Sequence, residues 1–314
     1  MPLEPRLRPL IRLARLAGPE DLSVPMAIRR ERGARLSSAG KLLVMPKGPA
    51  MAGTVDHPVP VDGGRILVRL HRPPTPGPHP LYVFLHGGGW CTGTVDERDP
   101  RCRAIAAGAD CVVASVDYRM APENQYPTAP EDCYAALCWL VDHADELGLH
   151  ADRVAVGGES AGANLAAVAC LMARDRGGPQ ICHQWLDVPG TDSTLSQAGF
   201  REVADGFMLD RVVIEDYLSH YLADPAQATE PYCSPLLADD HRGLPPAWIM
   251  TAEYDHLRGD GEAYADALTA AGVPARHVRL AGHVHASFAL TRLLPSARDY
   301  ERVAIAALAA AFGR

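Results

Sequence analysis

The stretch Val154-Ala155-Val156-Gly157-Gly158-Glu159-Ser160-Ala161-Gly162 reads as a short buried strand that runs into a tight turn, with a helix after it. Within the turn, Gly158, Ser160 and Gly162 form the pattern G-x-S-x-G. A serine on such a turn has strained backbone angles and an outward-facing hydroxyl, and the flanking glycines avoid collisions with the neighbouring strand and helix. The alternative for so short a pattern is a chance match in a Gly- and Ala-rich turn.

Apolar strands and helices alternate along the chain on both sides of this turn. The alternation predicts an α/β fold with a mostly parallel sheet and helices on both faces, whose functional residues gather at the carboxyl ends of strands. The predicted elements are a hairpin about residues 62–64, strands at 81–85, 111–116, 154–156, 247–251 and 275–280, an apolar segment at 182–188, and helices at 131–147, 161–174, 261–271 and 296–312.

Two stretches interrupt this alternation. Residues 1–45 read as helices with loops, and a Pro- and Gly-containing linker follows them. Residues from about 191 to 242 contain no clear strand, only a helix predicted near 211–222. We therefore predict N-terminal cap helices at 1–45 and an α/β domain at 46–314, with a cap insertion at about 191–242 over the functional site.

Composition bounds the class of protein. At 314 residues, the chain is long enough for one large α/β domain or two small ones, and its net charge of −8 argues against nucleic acid as a partner. The eight cysteines form no C-x-x-C pair, which favours reduced buried thiols over a disulfide framework or a zinc cluster. Because no run of 18 apolar residues is present, we expect a cytoplasmic protein without stable membrane insertion.

The N-terminus mixes arginines with leucines. Four arginines within residues 6–15 break any apolar core of a signal peptide. A helix that packs Leu7, Leu10 and Ile11 on the body of the protein is the favoured interpretation. A targeting peptide and a membrane-surface helix are the alternatives.

A serine hydroxyl becomes a useful nucleophile only when a base takes its proton and a third group fixes that base. Asp255 follows the predicted strand at 247–251, and His283 and His285 lie in the predicted loop after the strand at 275–280. The chain order Ser, Asp, His is that of α/β-hydrolases. The H-x-H spacing also suits a metal site, which would need further ligands such as Asp255 or His256, and we predict no metal.

Acyl transfer also requires donors for the developing oxyanion. The loop His86-Gly87-Gly88-Gly89 can turn backbone N–H groups toward a ligand without obstruction by a Cβ, and Ala161 after the serine supplies another N–H. Each such donor contributes ~3 kcal/mol in the transition state.

Together these motifs resemble the hormone-sensitive-lipase-like (bacterial family IV) carboxylesterases of the α/β-hydrolase superfamily, over nearly all of residues 55–314. The resemblance implies the α/β-hydrolase fold, with an eight-stranded, mostly parallel sheet and a helical cap. It also implies a serine carboxylesterase that hydrolyses short- to medium-chain acyl esters through an acyl-enzyme, without a cofactor. The substrate is then a small-molecule ester, and family members often form homodimers. The matching pieces are His86-Gly-Gly-Gly-Trp90, Asp117-Tyr-Arg119, residues 121–127, Gly158-Glu-Ser-Ala-Gly162, residues 164–166, Cys233-Ser-Pro-Leu236, residues 243–246 and Thr251-Ala-Glu-Tyr-Asp255.

The resemblance assigns roles by matching position. It makes Ser160 the nucleophile, Asp255 the acid and His285 the base of a Ser-His-Asp triad. It also makes the N–H groups of Gly88, Gly89 and Ala161 the oxyanion hole. The chain departs from the family pattern at four places, none of which removes a catalytic group. The family usually has Asp at the position of Glu159, Gly at that of Ala163, Pro at that of His256, and Gly-Phe at that of Ala286-Ser287. Among these, His256 could compete for the catalytic acid.

Candidate pocket residues are less specific than the triad. Trp90 lines the pocket or is a buried structural residue, and Glu159 tunes the site or anchors the turn. His283 is a pocket neighbour or supports the base. The remaining candidates, which form the acyl-side wall or the core of the cap, are Phe207, Met208 and Leu209.

Other functions fit the same residues. A specialised hydrolase of lactones, acetylated sugars or amides would use the same site with a different cap. A non-catalytic small-molecule receptor is disfavoured because such relatives lose the histidine that stands here as His285. A membrane-surface lipase would use the Arg- and Leu-rich N-terminus.

Overall fold

The fold is a single twisted sheet between two layers of helices. The computed structural model describes residues 2–18 and 20–313. In that part of the chain, eight strands lie in the order β1-β2-β4-β3-β5-β6-β7-β8, with β2 antiparallel to β1 and β4 and all other pairs parallel. The strands are β1 (Gly53–Val61), β2 (Gly64–Arg72), β3 (His79–Leu85), β4 (Val112–Asp117), β5 (Leu149–Glu159), β6 (His183–Asp187), β7 (Ala247–Tyr254) and β8 (Ala275–Val284).

The two faces of the sheet follow from strand periodicity. Alternate residues of a strand point to opposite faces, and in β3 both sets are apolar: Val83 joins one buried cluster, whereas Tyr82 and Phe84 join the other. A strand buried on both faces needs helices on both sides. Helices α4 (Thr128–Asp142), α5 (Ala161–Asp175) and α8 (Arg258–Ala270) cover one face, and α3 (Val95–Ala109) and α9 (Pro295–Ala311) cover the other.

The remaining helices lie near the carboxyl ends of the central strands. They are α1 (Arg8–Ala17), α2 (Met26–Val44), α6 (Ala198–Glu202) and α7 (Arg211–Tyr221). Leu7 and Ile11 pack against Val284 and Leu294, as expected for an amphipathic N-terminal helix. The division into cap helices at 1–45, a domain at 46–314 and an insertion at about 191–242 stays a prediction.

The predicted sheet and its helices are confirmed, with three corrections. Strand β8 continues to Val284, so His283 lies in the strand and not in a loop. The pairing of β8 with β7 shifts register between Ala252 and Tyr254, and beyond this shift Tyr254 lies opposite Val284. Helix α3 was not predicted, and α4 ends at Asp142 rather than near residue 147. Within the described residues, no helix combines the length and the apolar character needed to cross a membrane.

Candidate active site

The turn between β5 and α5 holds Ser160 in a strained conformation. Its φ of 54° and ψ of −121° lie where residues with a Cβ are rarely found. Two backbone hydrogen bonds fix the turn: Ser160 donates its N–H to the carbonyl of Asp187 at 2.8 Å, and its own carbonyl accepts from Asn164 at 3.0 Å. The strained serine is thus held by the neighbouring strand β6 and by the first turn of α5.

Close approach of backbone explains the two glycines of the turn. A Cβ at Gly158 would lie 2.4 Å from the carbonyl oxygen of Leu85, and one at Gly162 would lie 2.1 Å from the same oxygen. Both distances are far below the ordinary contact of 3.5–4.0 Å between such atoms. The end of β3 therefore passes so close to the turn that only glycine fits at either position.

Three side chains from three strand ends form one hydrogen-bonded chain. Ser160 Oγ lies 3.0 Å from His285 Nε2, and His285 Nδ1 lies 2.7 Å from Asp255 Oδ2. The backbone N–H of Leu257 donates to the other Asp255 oxygen at 3.0 Å. If His285 carries its proton on Nδ1, its Nε2 is free to accept the serine proton, so this order of contacts can support nucleophilic catalysis.

The two other histidines near this chain have different partners. His283 lies with Nδ1 2.8 Å from Ser287 Oγ and Nε2 2.9 Å from Ser296 Oγ. His256 Nε2 lies 3.1 Å from Asp205 Oδ1, so in this arrangement His256 does not compete for Asp255. Both imidazoles are buried, and their contacts are those of supporting groups.

The glycine loop after β3 is shaped by a tight turn. The carbonyl of Gly88 accepts from the N–H groups of Cys91 at 3.1 Å and Thr92 at 2.9 Å. Gly88 has a φ of 127° and Gly89 a φ of 59°, which favour glycine over residues with a Cβ. Ala161 opens α5, where the first four N–H groups have no partner within the helix. Backbone donors thus flank Ser160 from two sides.

His86 acts as part of the scaffold beside this loop. Its Nδ1 lies 2.9 Å from the carbonyl of Gly87, and its ring stacks on Tyr118 at 4.4 Å between centroids. Burial lowers the pKa of His86 to about 4, so the ring is neutral at pH 7.

A cavity of about 340 Å³ opens onto Ser160 and His285. Most of its wall is apolar, as in sites for small molecules. Of the predicted pocket residues, Trp90, Glu159 and Leu209 line it. Other lining residues include Arg30, Gly33, Ala34, Gly88, Gly89, Arg98, Ala161, Val188, Asp192, Leu195, Ile214, Tyr217, Leu218, Leu257, Asp260 and Phe288.

Three predicted pocket residues lie outside this wall. Phe207 stacks on Tyr254 at 4.8 Å, with the guanidinium of Arg15 over its ring, so it belongs to the contact between α1 and the body. Met208 has a φ of 80° and is 58% exposed to solvent. His283 is occupied by its two serines. These three residues do not line the cavity, and the contacts of His283 fit its alternative role as a supporting group.

Sequence reasoning missed the charged residues behind the Ser160 turn. Glu159 forms ion pairs with Arg98 and with Arg101, both on α3. Burial raises the pKa of Glu159, but the two guanidinium groups outweigh it and hold this pKa below its ordinary value. The i, i+3 spacing of Arg98 and Arg101 puts them on one face of α3, but that spacing does not reveal their partner. Glu159 does anchor the turn, through arginines rather than through backbone.

Comparison with known proteins identifies the class of protein to which this fold and these motifs belong. A family model described as the alpha/beta hydrolase fold matches residues 82–289, and the chain belongs to this family. It is 42% identical over 276 residues to the carboxylic ester hydrolase LipN of Mycobacterium tuberculosis, covering 86% of this chain and 73% of that protein. It is 35% identical to the arylesterase of Saccharolobus solfataricus over 91% of this chain and 92% of that one.

A solved structure agrees with these relatives. The hyperthermophilic esterase from the archaeon Pyrobaculum calidifontis superposes with a TM-score of 0.93 at 35% identity, over 99% of both chains. These matches confirm the resemblance to the carboxylesterase family and the predicted enzyme class, a carboxylic ester hydrolase.

Proposed function

We propose that the chain is a serine carboxylesterase that hydrolyses short- to medium-chain acyl esters through a triad of Ser160, His285 and Asp255. The observation that carries this proposal is the continuous chain of contacts at 3.0 Å and 2.7 Å that joins these three side chains. Such distances are within the reach that proton transfer needs. The cavity is at the lower end of the size range of ligand sites, which favours small acyl groups.

Hydrolysis proceeds in two halves. Ser160 Oγ attacks the ester carbonyl carbon while His285 Nε2 takes the serine proton, and Asp255 stabilises the resulting imidazolium. The bond to the alkoxy oxygen then breaks, and the alcohol leaves with the proton from His285. Water attacks the acyl-enzyme with His285 again as the base, and the carboxylic acid leaves as Ser160 regains its proton.

The oxyanion of each tetrahedral intermediate is stabilised by backbone donors. We assign this role to the N–H groups of Gly88, Gly89 and Ala161, which flank Ser160. Their support is the turn that fixes Gly88 and the position of Ala161 at the start of α5. Donors fixed before the reaction stabilise developing charge without reorganisation.

Location and assembly remain part of the proposal. All eight cysteines are unpaired thiols, and six of them are buried, which suits a cytoplasmic protein. A small-molecule ester is the proposed partner of the cavity. The homodimer that the resemblance allows stays a prediction.

The direct test is hydrolysis of p-nitrophenyl esters from acetate to palmitate. Wild type, Ser160→Ala, His285→Ala and His283→Ala are compared, with folding checked by circular dichroism. We expect turnover on short chains that disappears in the first two variants and survives in His283→Ala. If His283→Ala is inactive and His285→Ala is active, the base is misassigned. A folded wild type without activity on any ester would favour a specialised hydrolase or a receptor.

A further inference from the structure

One buried guanidinium lies behind the two loops that carry Ser160 and His285. Arg101, on α3, has a side chain that is only 3% exposed. Its Nη1 donates to Glu159 Oε2 at 3.1 Å, and its Nη2 donates to Asp187 Oδ2. Glu159 precedes the nucleophile in sequence, and the Asp187 carbonyl accepts the N–H of Ser160. One side chain therefore binds both residues that anchor the nucleophile turn.

The same guanidinium contacts the loop of the histidine. The ring of Phe288 lies 4.7 Å from Arg101 Cζ, which is within cation–π range. Phe288 follows His285 by three residues, lies in a short 3₁₀-helix and lines the cavity. Phe84 and Trp185 cover the guanidinium at 5.8 Å and 5.4 Å. Arg101 thus contacts both the nucleophile turn and the histidine loop.

Glu301 Oε1 lies 3.9 Å from Arg101 Nε, and the two carboxylates that accept hydrogen bonds from Arg101 are themselves held by other groups. Arg98 donates to Glu159 from the neighbouring turn of α3, and Asp187 accepts from Tyr300 and from Trp185 Nε1. Burying charges costs free energy even when they are paired, and replacing such a network by apolar residues is often neutral or favourable. Stability alone therefore does not account for this cluster, whereas fixed geometry at the nucleophile turn does.

We propose that Arg101 is a positioning residue for ester hydrolysis, which sets the distance between Ser160 Oγ and His285 Nε2 from behind. The inference rests on the proposed triad. The planar guanidinium of Arg101 is needed because one group has to bind two carboxylates and stack on an aromatic ring. The compact ammonium of lysine lacks that geometry. Loss of the guanidinium lets the strained turn at Ser160 relax away from the base.

The test compares Arg101→Lys and Arg101→Met with Arg119→Met. Arg119 is the matched control because it binds Asp132 through two nitrogens, at 2.9 Å and 2.7 Å, and lies outside the cavity wall. We expect kcat to fall about 10²-fold in both Arg101 variants with KM within threefold of wild type, because small displacements of reacting groups have costs of this size. Arg119→Met should lose stability but keep its kcat.

A second comparison separates an effect of Arg101 on the position of the reacting groups from a general loss of folded protein. Glu159→Gln and the double variant Arg101→Met/Glu159→Gln are assayed at a temperature where all variants are folded. We expect the double variant to lose no more kcat than Arg101→Met, since both changes disturb one contact. Wild-type kcat in Arg101→Met, or equal loss in Arg119→Met, would overturn the proposal. An active Ser160→Ala would instead overturn the triad.

Discussion

Substitution of Gly89 by alanine should disable the glycine loop while sparing the rest of the fold. Gly89 has a φ of 59°, and a Cβ there would lie 2.3 Å from Cγ and Cδ2 and 2.9 Å from Cβ of Tyr217. Rotation of the tyrosine ring moves neither Cγ nor Cβ, so it does not relieve the overlap. Restoring an ordinary contact of 3.5 Å requires the loop or α7 to move by about 1 Å.

Gly177 provides the matched control. Its φ of 62° is almost the same, and a Cβ there meets nothing within 4 Å. The left-handed backbone alone costs an alanine about 1–2 kcal/mol, so Gly177→Ala should lose that much stability and no activity. Gly89→Ala should lose at least as much stability, and its kcat should fall about 10²-fold or more because a proposed oxyanion donor is displaced.

Urea unfolding and steady-state hydrolysis of p-nitrophenyl butyrate measure the two effects in the same preparations. A kcat in Gly89→Ala within threefold of that in Gly177→Ala would refute the reasoning. Either the loop would then tolerate the displacement, or its N–H groups would not contact the reacting oxygen.

Three further substitutions each test one buried side chain. Asp255→Asn should lower kcat by about 10⁴-fold with little change in stability, because an amide no longer fixes the working tautomer of the base; retained turnover would contradict this role. Asn164→Ala should cost about 2–4 kcal/mol in urea unfolding, because Asn164 donates two buried hydrogen bonds of 2.8 Å; a loss below 1 kcal/mol would contradict it. Burial lowers the pKa of His183 to about 4. Between pH 6.5 and 4 the unfolded chain therefore binds a proton that the folded chain refuses, and stability falls as pH falls. The stability of His183→Gln relative to wild type should rise by about 3 kcal/mol over this window, and a pH-independent difference would contradict the burial.

The sequence predicted the sheet and the triad contacts for the same physical reason. Parallel strands place their carboxyl ends at one edge, so side chains that follow β5, β7 and β8 meet there although 125 residues separate Ser160 from His285. The order of these residues and the glycines beside them were visible in the chain. Their roles in catalysis stay proposals until they are measured.

The support of the site was not visible in the chain. Helix α3 contains Pro100 and five charged residues in its first seven positions, so its apolar face has no clear period. Arg101 is buried although charged residues rarely are, and only the tertiary fold brings two carboxylates to it. Hydropathy alone therefore gives no indication that Arg101 is buried.

Local backbone geometry determines which of the predicted pocket residues face the cavity. Leu209 faces the cavity, whereas Met208, with its positive φ, projects into solvent. His283 and His285 would share one face of a regular strand, but the strand ends between them and Ala286 adopts a φ of 61°. Glycine is the usual residue at such angles, so Met208 gives no sign of its turn, whereas the family pattern has glycine at the position of Ala286.

The most direct test of the proposed triad is covalent labelling by the organophosphate diethyl p-nitrophenyl phosphate. The serine attacks phosphorus, p-nitrophenolate leaves, and the stable adduct is located by peptide mass spectrometry. The account predicts one adduct, on Ser160, formed with the stoichiometry of lost esterase activity, and labelling that is much slower in His285→Ala. An inactivated enzyme with its adduct on another residue, or unchanged labelling in His285→Ala, would contradict it.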